Sequence, residues 1–119
     1  MEKDLKKQEF KKRLYKLVLG VIKSTNTLPK NTSNEIIIKQ LIRSITSILA
    51  NYIESQSASS KKDHINFFHH SLKSANESKV WLCLLKDTNQ NENFEKYLSE
   101  LEEISRILAS SIITMKNRS

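Results

Sequence analysis

The sequence predicts an all-α protein, an up-down-up-down antiparallel four-helix bundle, and three observations predict it. The 119 residues include one Gly and one Pro, so the backbone has few places where regular structure must break. Four segments, each of about 20 to 26 residues, repeat apolar positions at spacings of three and four, whereas no segment alternates apolar and polar residues as a half-buried strand does. The links between them are short and polar, and links that short turn successive helices back on one another. A chain of this length is expected to form one domain over residues 1–119.

The first helix is expected from about Asp4 to Ser24. Phe10, Leu14, Leu17, Val18, Val21 and Ile22 draw a single apolar stripe along it. Gly20 falls mid-helix, where it costs about 1 kcal/mol against Ala, which points to a neighbouring helix crossing closely there. Pro29 disfavours helical geometry at Leu28, so Thr25–Asn31 ends the helix.

The second helix organises the rest. Thr32-Ser33-Asn34-Glu35 reads as a capping box that opens it, and it runs to about Ser57. Ile37, Leu41, Ile45, Ile48 and Tyr52 form one apolar track, and Ile38, Ile42, Ile45, Leu49 and Ile53 form a second beside it. A stripe that broad exceeds what one packing partner can cover, so this helix should be surrounded. Ser60-Lys61-Lys62-Asp63 is a second box, opening a third helix over about Lys61 to Asp87. Ile65, Phe68, Leu72, Ala75 and Leu82 lie on one of its tracks. Phe67, Ser71, Ser74, Ser78, Trp81 and Leu85 lie on the other, small in the middle, as close approach of another helix requires. Cys83, inside the run Val80–Leu85, reads as a small buried thiol. After Thr88–Asn91, a fourth helix from about Glu92 sets Phe94, Tyr97, Leu98, Leu101, Ile104, Leu108, Ile112 and Met115 on its seam, with Glu95, Glu100, Glu102, Glu103 and Arg106 outside.

Charge carries the functional reading. The chain has net charge +7, and residues 1–30 hold nine Lys or Arg against three acids, net +6. Lys6, Lys7, Lys11, Lys12, Arg13, Lys16 and Lys23 on the first helix are therefore the expected contacts to the phosphates of RNA or DNA. The competing reading is a solvated basic face on a scaffold that binds a protein partner, since no Gly-rich loop or recognition-helix signature accompanies the charge. Folding the third helix back on the second sets Arg43 within a turn of Glu77, Asn51 opposite Asn66, and Glu54 opposite Asp63. Arg43, Asn51, Glu54 and Glu77 are thus expected structural or subunit-joining polar groups, with Arg43 and Glu77 half-buried as an ion pair.

Enzyme chemistries fail on spacing. A di-iron bundle needs Glu-x-x-His, but Lys61, Asn66 and Phe67 precede His64, His69 and His70 by three. Arg followed four to six residues later by His, as in the helical-bundle ribonucleases of toxin systems, is also absent. His69 and His70 are adjacent and so splay about 100° apart on a helix, which argues against a zinc site. No catalytic residue, metal or cofactor is expected. No apolar run is read as reaching the length of a membrane span, and a lone cysteine fits a reducing cytoplasm.

The stretches Lys39–Glu54, Ser60–Ile65 and Ser74–Leu85, with Leu28-Pro29 and Leu101-Glu102-Glu103-Ile104, resemble the bacterial four helix bundle proteins encoded in intervening sequences of large-subunit (23S) rRNA genes. The resemblance implies a small helical bundle that assembles as a ring-like homopentamer, without established enzymatic activity. It also implies kinship with the accessory protein of diversity-generating retroelements, which binds nucleic acid through a basic surface. Two positions depart from the family pattern: Leu49 stands where a Gly is usual, and His64 where Phe is common.

Overall fold

The computed structural model describes residues 2–118. They form α1 (Glu2–Thr25), α2 (Thr32–Gln56), α3 (Lys61–Asn89) and α4 (Glu95–Lys116), with a 3-10 turn (Glu92–Phe94) leading into α4 and no strand among the described residues. The arrangement is consistent with a four-helix bundle, and it is elongated, 50 × 23 × 20 Å.

Local chemistry sets the helix ends. α2 is capped by Asn31, one residue before the expected box: the Asn34 amide donates to Asn31 Oδ1 at 2.8 Å. Asn ranks among the best N-caps, and Asn31 stands in extended backbone just after Pro29-Lys30, so it takes the role ahead of Thr32 or Ser33. The Asn34 side chain is thereby free for another task. Its Nδ2 donates to the Pro29 carbonyl and to Asn89 Oδ1, and Asn89 Nδ2 donates back to Asn34 Oδ1, each at 2.9 Å. This reciprocal amide pair, with Asn34 1% exposed, joins the first connection, the start of α2 and the end of α3. Ser60 caps α3 as its sequence predicts, accepting from the Asp63 amide at 3.1 Å. α3 stops at Gln90, in the left-handed region at φ 50°, without a glycine.

The pairing of α2 with α3 is the most extensive in the molecule, and small side chains make it close. Ser78 Oγ meets Ser44 Oγ at 2.8 Å, Ser74 Oγ meets Ser47 Oγ at 2.9 Å, and Ser71 Oγ donates to the Ile48 carbonyl at 2.8 Å. Residue numbers rise along α2 as they fall along α3, so the two run antiparallel. The small middle of the α3 track behaves as expected; its serine partners on α2 are the part that apolar periodicity does not reveal. The core is completed by Leu14, Leu17, Val18 and Val21 of α1 and by Phe94, Leu101, Ile104, Leu108 and Ile112. Tyr52 joins three helices, its ring edge-on to Phe10 at 5.0 Å and to Phe68 at 5.7 Å.

Gly20 is where α4 approaches α1. A Cβ built there would lie 2.9 Å from Cε1 and from the phenol oxygen of Tyr97, whose ring is partly buried and whose hydroxyl accepts from Ser24 Oγ at 3.1 Å. Gly20→Ala gains about 1 kcal/mol of helix propensity but forces that ring aside, at a cost of about 1–3 kcal/mol. A net loss is expected in thermal unfolding, turning to a gain when the same change is made in a Tyr97→Ala background. A gain in both backgrounds would contradict close packing at this crossing.

Two expectations are corrected. Cys83 is exposed, because within Val80–Leu85 Leu82 and Leu85 are fully buried and Trp81 packs partly buried beside them, while Val80 and Leu84 are 55% and 41% exposed. The run is apolar all round, and helical period turns half of it outward. Likewise α2 does contain a stretch long and apolar enough, by length and composition, to cross a membrane, with mean hydropathy 1.2. The core helix of a bundle meets the same criterion. Here Leu41, Ile45 and Ile48 are fully buried, and the surplus, Ile36 (60% exposed) and Ile53 (41%), lies on the outer side.

Candidate nucleic-acid interface

Burial of the α1 stripe decides where its cations go. With Leu14, Leu17, Val18 and Val21 in the core, a rotation of about 100° per residue carries Lys11, Lys12, Lys16 and Lys23 off the stripe, while Lys6 and Lys7 lie on its side at the start of the helix and border a depression with Phe10, Tyr52 and Ile107; all six are exposed. None of the six is in an ion pair among the described residues.

Arg13 does not belong to this surface. Its Nε and Nη2 donate to the two oxygens of Glu100, each at 2.7 Å, and Nη2 lies 2.9 Å from Glu103 Oε2. It sits on the flank of α1 that faces α4, where Glu100 and Glu103 are three residues apart on one helix face. Glu100, expected on the outside, is consequently only partly exposed. The pair ties α1 to α4 and consumes one cation.

Hydrogen bonds from Arg13 hold the Glu100 carboxyl below its usual value of 4.5, partial burial opposes this, and the guanidinium charge lowers it further. A carboxyl with a lowered folded value adds stability above its unfolded range and loses it as pH falls through the folded one. Glu100→Gln should therefore cost about 1 kcal/mol at neutral pH, with the gap to the parent closing in acid below the usual carboxylate range. Thermal unfolding across pH checks this; a gap independent of pH would contradict it.

Tyr15 is the residue that the charge-based reading misses. It is 58% exposed and shares a shallow depression with Gln8, Lys11, Lys12 and Lys16. Its position one step off the stripe at Leu14 was the available signal.

The polar set on α2 and α3 does not converge into one site. Arg43 pairs with Glu77, as the helix register predicts, and Glu77 also accepts from Trp81 Nε1 at 2.8 Å. The pair is unevenly covered, the Glu77 side chain 32% exposed and the Arg43 side chain 56%, because Arg43 occupies the outer side of α2. Removing either partner should thus cost only about 0–1 kcal/mol, well below the effect of breaking a buried pair. Asn51 turns back on its own helix, donating to the Ser47 carbonyl and hydroxyl at 2.9 Å each, instead of meeting Asn66. Glu54 is exposed, with no ion pair among the described residues. His64 is held through Nδ1, 2.6 Å from the Ser55 carbonyl, with its ring against Phe68, while His69 and His70 are exposed.

Residues 6–110 match the model of the 23S rRNA-intervening sequence protein family. Among solved structures, the chain is similar to a protein of unknown function from the S23 ribosomal protein family of Bacteroides thetaiotaomicron. The two are 32% identical, with a TM-score of 0.81, over 90% of this chain and 97% of that one. No curated protein matches.

Proposed function

Because the chain belongs to the 23S rRNA-intervening sequence protein family, we propose that it is a non-enzymatic bundle that binds RNA or DNA, weakly and without strong sequence preference, through the basic face of α1. The observation that carries this reading is the set of six exposed lysines on α1, from Lys6 to Lys23, none in an ion pair among the described residues, while Arg13 is consumed by α4. Contacts to phosphate supply affinity without sequence information, and no groove-reading helix is needed for them. Salt-graded retention on immobilised RNA and DNA tests it. The protein should be held at low salt and released as salt rises. Passage at low salt overturns the reading and leaves the scaffold that binds a protein partner.

The same reading includes self-association, with the up-down-up-down bundle as protomer and five copies as the expected ring. Its support is the apolar surface that the single chain leaves uncovered on α2 and α3. Ile36, Ile53, Val80 and Leu84 are 60%, 41%, 55% and 41% exposed, and the pairings of Asn34 with Asn89 and Ser44 with Ser78 bring Ile36 within about a turn of Leu84. A pentamer would repeat the α1 face five times, so weak contacts would add by avidity. The light-scattering mass should be about five times the 13.8 kDa of one chain. A mass equal to one chain at micromolar concentration would rule out the ring.

A further inference from the structure

The bundle is electrically lopsided along its 50 Å axis. α1 and α3 begin, and α2 and α4 end, at the same end, where Tyr52 packs on Phe10 and Phe68 and Lys61 Nζ donates to the Arg118 carbonyl. The half containing residues 4–13, 48–75 and 107–118 carries ten Lys or Arg against four Asp or Glu, net +6. The opposite half, residues 14–47 and 76–106, carries nine against eight, net +1. The acids of α4 neutralise that half, and all three histidines lie in the other.

Two grooves open at the positive end, and among the described residues no carboxylate lines either. One lies between the first turns of α3 and the last turn of α4, bounded by Lys61, Lys62, Ile65, Asn66, His69 and Lys116. The other brings Lys7 of α1 together with His64 of α3 and Arg118, just past α4. Lys7 lies one turn before Lys11 on α1, and His64 and Arg118 are next to Ile65 and two residues from Lys116 of the first groove, so the α1 lysines and both grooves meet at this end of the bundle. The contributions of α1, α3 and the end of α4 are far apart from one another in sequence, and only the fold assembles them.

We propose that the nucleic-acid contact extends from α1 over this end of the bundle into the α3–α4 groove, where Lys61, Lys62 and Lys116 neutralise backbone phosphates and Asn66 and His69 hydrogen-bond to them. This rests on the nucleic-acid reading above and adds a second, sequence-distant half to the interface. Its partner chemistry is a phosphodiester backbone, since the groove offers cations and hydrogen-bonding groups without a stacking aromatic or a carboxylate.

The test compares two triple variants with equal loss of charge: Lys61→Gln, Lys62→Gln, Lys116→Gln at the positive end, and Lys30→Gln, Lys39→Gln, Arg106→Gln in the other half. All six residues are exposed. Binding of labelled RNA and duplex DNA by anisotropy across a salt series should show the first variant at least about tenfold weaker at moderate salt. Its log–log salt slope should be shallower by about 2 to 3, at ~0.9 per duplex contact and ~0.7 per single-strand contact, with the second variant near the parent. The double variant Lys62→Gln, Lys116→Gln keeps the Lys61 contact to Arg118 and should lose about two-thirds as much slope. If the parent binds and both triples weaken it equally, the extension is overturned and the α1 interface stands. If the parent binds polyglutamate but no nucleic acid, the nucleic-acid reading and the extension are both overturned.

Discussion

Lys11→Glu, Lys12→Glu and Lys16→Glu, introduced together, are expected to abolish retention on RNA and DNA while leaving the helical signal and the oligomer mass unchanged. The three side chains are exposed on the outer face of α1 and surround Tyr15, and none is in an ion pair among the described residues. Reversing them should therefore cost the fold within about 0.5 kcal/mol. It removes three positive charges, adds three negative ones, and forfeits about 0.9 of salt slope for each duplex phosphate lost. Arg13 is left out deliberately. A carboxylate in its place would face Glu100 and Glu103 and separate α1 from α4, so lost binding could then be read as lost structure. Undiminished retention by the triple variant would remove α1 from the interface.

Ile48→Asp is expected to unfold the protein, whereas Ile53→Asp is expected to keep the bundle and change only its association. Ile48 is 0% exposed, and its carbonyl accepts from Ser71 in the small-residue contact between α2 and α3. A carboxylate there has no cation to meet and must either bury its charge or protonate, a cost of several kcal/mol against a total stability of about 5–15 kcal/mol. Ile53 is 41% exposed in the single chain, so the same change remains solvated unless another copy covers it. Far-UV circular dichroism and light scattering separate these outcomes. Loss of helix in Ile48→Asp alone, with reduced mass in folded Ile53→Asp, is the expected pattern, and an unchanged mass for Ile53→Asp would place the subunit contact elsewhere.

Helix positions were legible in the sequence because burial leaves a periodic mark. The stripes of α1 and α4 and the small-residue middle of α3 all lie where spacing sets them, and Ser60 caps α3 as its motif implies. Legibility failed where several residues satisfy the same local rule. Asn31, Thr32 and Ser33 are all competent caps, and only the backbone after Pro29 selects Asn31. It failed again where a run is apolar on every side, as around Cys83, because periodicity then carries no direction. For the proposed interface, net charge pointed to α1, but it could not show that Glu100 and Glu103 of α4 take Arg13 or that the ends of α3 and α4 bring Lys61, Lys62 and Lys116 together. Those are pairings between sequence-distant elements. They follow from helix register, which composition does not encode.

The most direct measurement is the anisotropy of a labelled RNA titrated with the unmodified protein, repeated at increasing salt. Saturable binding is expected at low salt, with log affinity falling linearly with log salt by ~0.7 per phosphate neutralised on a single strand. It would be contradicted by no binding at low salt, or by binding whose strength does not change as salt is raised.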